Sequence, residues 1–123
     1  MINNVQLNVL GEPLEACCHD PETGWQRDGY CNFFPDDLGK HLVCTEVTRD
    51  FLEFSKAKGN DLSTATEFFP GLKPGGKWCV CLMRVVEAFN AGHPPKVILA
   101  ATHISVLEVI PLSFLQQMAG SNA

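Results

Sequence analysis

No stretch of the 123-residue chain approaches the roughly 20 consecutive apolar residues that a membrane-spanning helix needs. The opening residues, MINNVQLNVLGEPLEA, lack the basic start and long apolar centre of a secretory signal, so a cytoplasmic location is the expectation. Basic residues are not in excess. Nine Lys and Arg are interspersed with fourteen Asp and Glu for a net charge of -5, and without clustered cations nucleic acid is not an expected partner. The phosphate-loop, dinucleotide, EF-hand and His-Glu-x-x-His patterns are all missing, as are internal repeats, linkers and low-complexity tracts. What remains is one compact domain over residues 1–123, with 46% apolar and 19% charged residues to form a packed core under a solvated surface.

The chain has six cysteines but no Cys-x2-Cys knuckle. That number is small for a disulfide scaffold, and in a cytoplasmic chain most of the six are expected to be reduced thiols. Three of them fall in the stretch Ala16 to Cys31, ACCHDPETGWQRDGYC, which also holds His19, Arg27, Asp20, Asp28, Trp25 and Tyr30. Asp20-Pro21-Glu22-Thr23-Gly24 reads as a turn. Asp28-Gly29 reads as a second, of the two-residue hairpin kind, with Trp25 and Tyr30 flanking it.

The remaining pattern predicts an α+β fold, a small mixed or antiparallel sheet packed with two or three helices. Strands are expected at Val5 to Val9, Leu42 to Val47 and Val97 to Ala101, with a further one at Leu107 to Ile110. Thr48 is placed to cap a helix whose Phe51, Leu52 and Ser55 share one face and which Gly59 stops. Residues 60–76, with Pro70-Gly71 and Pro74-Gly75, read as a long ordered loop. Trp78, Cys81, Leu82, Val85, Ala88 and Phe89 recur at helical spacing, predicting a helix from Lys77 to Ala91 with Gly92 after it. Pro111 opens a last helix, Leu112 to Met118.

The segments GEPLEACCHDPETGWQRDGYC, DLGKHLVC, GNDLST, FPGLKPGGKWCVC and ATH together resemble the family catalogued as domain of unknown function 2237, from about Val9 to Met118. The resemblance singles out Cys18, Trp25, Arg27, Asp28, Gly29, Cys31, His41, Cys44, Asn60, Asp61, Trp78, Cys79, Cys81 and His103. It implies no particular reaction or ligand. The sequence departs from the family pattern at Gly76, where an acidic residue is usual, and at Phe33-Phe34 after Cys31.

Three chemistries suit these residues. Thiolates and imidazoles are ligands for zinc or copper, and Cys18, Cys31, His41 and Cys44 form the candidate metal set. On the helix expected there, Cys79 and Cys81 would point about 200° apart and could not share an ion. Alternatively Cys17, Cys18 or Cys31 acts as a nucleophile activated by His19, His41 or His103. In the third reading Arg27 pairs the anionic group of a small ligand and Trp25 or Tyr30 stacks on it; the structural alternative is that Arg27 pairs with Asp28, Asp36 or Asp61 to pin loops together. The candidate ligand-binding residues are Cys18, Trp25, Arg27, Asp28, Cys31, Asp61 and His103. The leading expectation is a small-molecule or metal-binding protein with a Cys/His/Arg-lined site. A thiol-dependent enzyme is the alternative, followed by a protein-interaction module using Phe33-Phe34 or Phe68-Phe69.

Overall fold

The computed structural model describes residues 6–67 and 69–120. The fold is α+β. Strand β1 (His41–Glu46) is central in a three-stranded antiparallel sheet, between β2 (Lys77–Cys81) and β3 (Lys96–Val97). Helices α1 (Arg49–Ala57), α2 (Leu82–Ala91) and α3 (Leu112–Ala119) complete it, with two 3-10 turns at Leu99–Ala101 and Ile104–Glu108. Among the described residues no helix is long and apolar enough to cross a membrane.

Strand β1 is buried on both faces, and the faces differ. Val43 and Thr45 pair with Val80 and Trp78, and Val43, Trp78 and Val80 join the main apolar core with Leu42, Phe51, Val85, Val106 and Leu115. Cys44 pairs with Cys79 on the opposite face, where Cys17, Cys31, Cys44, Cys79 and Ala101 make a second, smaller cluster. Helix α1 forms as its sequence predicts. The Thr48 hydroxyl accepts from Phe51 N at 3.0 Å, and Phe51, Leu52 and Ser55 are the buried positions.

The helix expected over residues 77–91 divides in two. Residues 77–81 form β2 and the helix starts only at Leu82. The apolar run Trp78 to Met83 satisfies both a buried strand and a helix, and sequence periodicity does not separate them. Pairing with the free edge of β1 selects the strand. Val85 is fully buried in α2, whereas Phe89 is only half-buried and stacks on Phe114 with ring centroids 5.1 Å apart.

Other expected strands are also corrected. Val5 lies outside the described residues. The following segment turns at Asn8, whose side-chain oxygen accepts from Leu10 N and Glu12 N while its amide donates to Ala100 O; such side-chain bonds compete with a ladder. The strand expected over Val97 to Ala101 stops after Val97. There Ile98 N still donates to Cys44 O at 2.9 Å, but the Thr102 hydroxyl accepts the Cys44 N–H at 3.1 Å and donates to Ile98 O at 2.8 Å, in place of the return bond of the ladder. Leu107 to Ile110 overlaps the second 3-10 turn and is not a strand.

Four of the six cysteines are paired, against the expectation of mostly reduced thiols: Cys17 with Cys44, and Cys31 with Cys79. Contacts over 27 and 48 residues of sequence have no local signature, so only the fold reveals them. Each bond ties the 16–31 loop to a neighbouring strand of the sheet. Between the two ties, the Thr23 hydroxyl accepts the outward N–H of Cys79 at 2.9 Å. Chain entropy assigns about 3.5 and about 4 kcal/mol to cross-links of these spans. Denaturant titration of the oxidised protein against the Cys31→Ser/Cys79→Ser variant is therefore expected to show a loss of roughly 2–5 kcal/mol; an unchanged midpoint would mean that the loop contributes nothing to the folded state.

Candidate functional site

The 16–31 loop is shaped by its turns. Gly24 and Gly29 take φ of +96° and +90°, and a Cβ on Gly29 would run into the His19 ring. Gly29 N donates to Thr23 O at 2.9 Å and Arg27 N to Gly24 O at 3.0 Å, which is a wider turn than the two-residue hairpin expected. Asp28 serves this turn, its carboxylate accepting from Tyr30 N and from the Asn32 amide. Trp25 and Tyr30 do not meet across it. Tyr30 packs edge-on against His19, and Trp25 lies nearly parallel to His41, 5.8 Å away with an interplanar angle of 14°.

Arg27 stands at positive φ, 55°, where a residue with a Cβ is strained by about 1–3 kcal/mol. In that conformation its Nη1 donates to Gly24 O at 2.8 Å, and its guanidinium lies over Trp78, 4.9 Å from the ring centroid. No ion pair holds it to Asp28, Asp36 or Asp61. Arg27 is exposed and Trp78 buried, so the ring is a floor and the cation its upper wall.

This pair opens a cleft of about 790 Å³ along β2, lined by Trp25, Arg27, His41, Asn60, Asp61, Leu62, Thr66, Phe69, Trp78, Cys79, Val80, Cys81 and Arg84. Asn60, Asp61, Leu62, Thr66 and Phe69 form the facing wall. Asp61 builds that wall by accepting from Thr64 Oγ1, Ser63 N and Thr64 N, and these bonds, the Thr64 hydroxyl foremost, hold its carboxyl below the usual range. Phe69 packs edge-on to Trp78 at 5.1 Å. Arg84 reaches Glu87 at 3.2 Å and adds a second cation.

His41 enters the cleft through an irregularity in the sheet. Val43 pairs with Val80, yet His41, two residues earlier, pairs with Cys81, only one residue later. The extra residue is a β-bulge, a device that re-aims side chains. His41 Nδ1 bonds Asp37 Oδ1 at 2.7 Å and His41 N donates to Asp37 Oδ2 at 2.9 Å, while the Asp37 side chain is 1% exposed.

Of the residues expected at a ligand site, Trp25, Arg27 and Asp61 share the cleft. Asp28 supports the turn beside it. Cys18, a free and half-buried thiol, does not line the cleft. Cys31 is fully buried in its disulfide, and His103 is buried elsewhere, tilted against Phe33 at 6.0 Å. Sequence reasoning passed over Asp37 and the pairing of His41 with Cys81. The DLGKHLVC segment contains both Asp37 and His41 at a spacing of four, but only the bulge shows that this is useful.

The metal set needs correction in its chemistry. Metal ligation uses thiolates, and Cys31 and Cys44 are in two separate disulfides, so neither sulfur is a ligand in the oxidised protein. The sulfurs of Cys17, Cys31 and Cys44 do lie within 4.8 Å of one another, a cluster close enough to hold a metal ion once reduced. Cys17 and Cys31, expected as possible nucleophiles, are likewise consumed. The free thiols are Cys18 and Cys81. With β2 a strand, Cys79 and Cys81 share a face, and the 200° separation does not apply.

A family model covers residues 7–119, that of the uncharacterized proteins conserved in bacteria (DUF2237); the chain belongs to this family. No curated protein matches the sequence.

Two outcomes follow from this geometry. Gly29→Ala adds a Cβ at positive φ against His19 and should destabilise by about 1–3 kcal/mol in a urea titration. At His103, burial pushes the imidazole below its ordinary value of 6.5, against a weaker upward pull from Glu108. Its neutral Nδ1 accepts from Ser105 N at 3.0 Å. The unfolded chain therefore takes the proton first, so the native state loses stability as pH falls through 6.5, levelling off below the depressed folded value. Wild type should weaken more than His103→Gln between pH 7.5 and acid pH; parallel stability curves would contradict this.

Proposed function

We propose that the cleft binds a small planar anion, an aromatic or heterocyclic carboxylate or phosphate. The observation that carries this reading is Arg27. A strained backbone holds its exposed guanidinium over a buried tryptophan, and backbone strain of this sort concentrates at ligand sites. A planar ligand would lie between the Trp25 and Trp78 walls with its anionic group toward Arg27, whose forked N–H donors match carboxylate or phosphate. Arg84, although paired with Glu87, lines the same cleft, and the Asn60 amide supplies a neutral polar group; the Asp61 carboxylate is turned to Ser63 and Thr64. The volume falls within the range of small-molecule sites.

The interaction-module alternative draws less support. Phe33 is anchored by Gln6, whose side chain bonds both its N–H and carbonyl, Phe69 packs on Trp78, and Phe68 lies outside the described residues. A cytoplasmic location requires disulfides that survive a reducing pool, where such bonds are rare. The full burial of Cys31 and Cys44 favours their survival by limiting thiolate attack.

Tryptophan fluorescence tests the ligand class, with 2-naphthoate as the anionic probe and 2-naphthamide as its neutral match. Charge-assisted hydrogen bonding should make naphthoate bind about tenfold more tightly or better, and Arg27→Met should abolish the difference while circular dichroism shows the fold intact. Equal affinity for both probes would refute the reading.

A further inference from the structure

We propose that Cys81 is a nucleophile for acyl transfer, with His41 as its general base and Asp37 as the positioning residue. The substrate is an activated acyl compound, a thioester or aryl ester, whose anionic portion occupies the cleft described above, and the proposal rests on that binding reading for its substrate class alone. The argument begins with the backbone. Cys81 is both the last residue of β2 and the N-cap of α2, so strand passes into helix with no loop between them. A side chain at such a junction is presented outward while its backbone is held on both sides, as in the strand-to-helix elbow that carries nucleophiles in hydrolases.

The N-cap position would normally engage its side chain with the helix amides, but Cys81 makes no such bond. The first N–H of α2, from Leu82, instead reaches Lys40 O at 2.9 Å. Lys40 also accepts from Leu42 N at 2.8 Å and holds this geometry at a φ of 52°. The same residue that starts the bulge therefore caps the helix, which leaves the thiol uncommitted. Met83 and Arg84 carry first-turn amides with no carbonyl a turn earlier in the helix, the donors that stabilise a developing oxyanion.

The bulge supplies the base. It sets His41 opposite Cys81, and both residues line the same cleft. Asp37 accepts from Nδ1 and from the His41 N–H, so the neutral ring presents Nε2 as the acceptor, and no described residue takes that nitrogen. A nucleophile, a base and a buried carboxylate that orients the base are the three parts of a cysteine acyl-transfer site.

In the reaction, Nε2 takes the Cys81 proton as sulfur bonds to the acyl carbon, and the carbonyl electron pair moves onto oxygen. Collapse of the intermediate breaks the bond to the leaving thiol or alcohol, which departs with the proton from His41. Water, deprotonated by the same nitrogen, then adds to the acyl carbon. The C–S bond breaks, a carboxylic acid leaves, and the returned proton restores the thiol.

The full chain is tested with its disulfides intact, and Cys18 serves as a control thiol within the same molecule. 4-Nitrophenyl acetate should release a burst of one nitrophenolate per chain and leave acetyl on Cys81, seen by peptide mapping, while Cys18 stays unmodified. His41→Gln should slow acylation of Cys81 by about 10²-fold or more, with Cys18 alkylation by iodoacetamide unchanged as evidence of an intact fold. Asp37→Asn should slow it comparably, since an amide donating to Nδ1 turns Nε2 into a donor, whereas Asp37→Glu should restore part of the rate. Acylation no faster at Cys81 than at Cys18, or a rate indifferent to His41, would overturn the proposal. The nitrophenyl half-ester of glutaric acid separates the two readings: loss of its advantage over the acetate ester would remove the anionic substrate class, yet leave a surviving burst to support Cys81.

Discussion

The cleft depends on two covalent ties that fasten an irregular loop to a small sheet. Residues 16–31 have little regular structure of their own, and their aromatic and charged side chains need a rigid base before Arg27 can be held over Trp78. Cys17–Cys44 anchors the loop to the central strand and Cys31–Cys79 to the neighbouring one. The sheet in turn has a full apolar core only on its other face, where the helices pack. Cystine therefore takes the place of a second core on the loop side, allowing a surface rich in polar groups to stay ordered close to a cavity.

A second constraint lies in the first residues of β1. Lys40, at positive φ, gives one carbonyl to two amides, one opening the strand and the other opening α2. The bulge that follows turns His41 toward β2, and the buried Asp37 fixes the imidazole through both its ring and its backbone N–H. Each of these features would be a local cost in isolation. Together they produce one arrangement, in which an oriented imidazole and a free thiol line the same cleft.

Much of this fold is readable from local chemistry. Thr48 followed by the Phe51, Leu52 and Ser55 face gives α1, Gly92 gives the end of α2, and the alternation through Val43 and Thr45 gives the central strand. The failures come where distant partners decide. Residues 78–83 satisfy two periods, and 78–81 take the strand because β1 offers an edge, while the Val97 segment leaves the ladder where Thr102 intercepts the Cys44 N–H. Trp25, Arg27 and Asp61 are singled out by their types and their turns, and the fold brings them to one cleft. Asp37 is not singled out, because a single aspartate in a polar stretch gives no sign that it will be buried under a histidine, and the cysteine pairs are hidden by their long separations.

Thr23 carries a consequence beyond the cleft. Strand β2 is at the edge of the sheet, and an edge presents N–H and C=O groups on which another chain can add a strand. The Thr23 hydroxyl occupies the outward amide of Cys79, and the loop that carries it covers this border only while its sulfur ties hold. Reduction would thus do more than loosen a loop: it would release the cover over a short, apolar stretch of sheet edge, Trp78 to Val80, whose backbone groups another strand can pair.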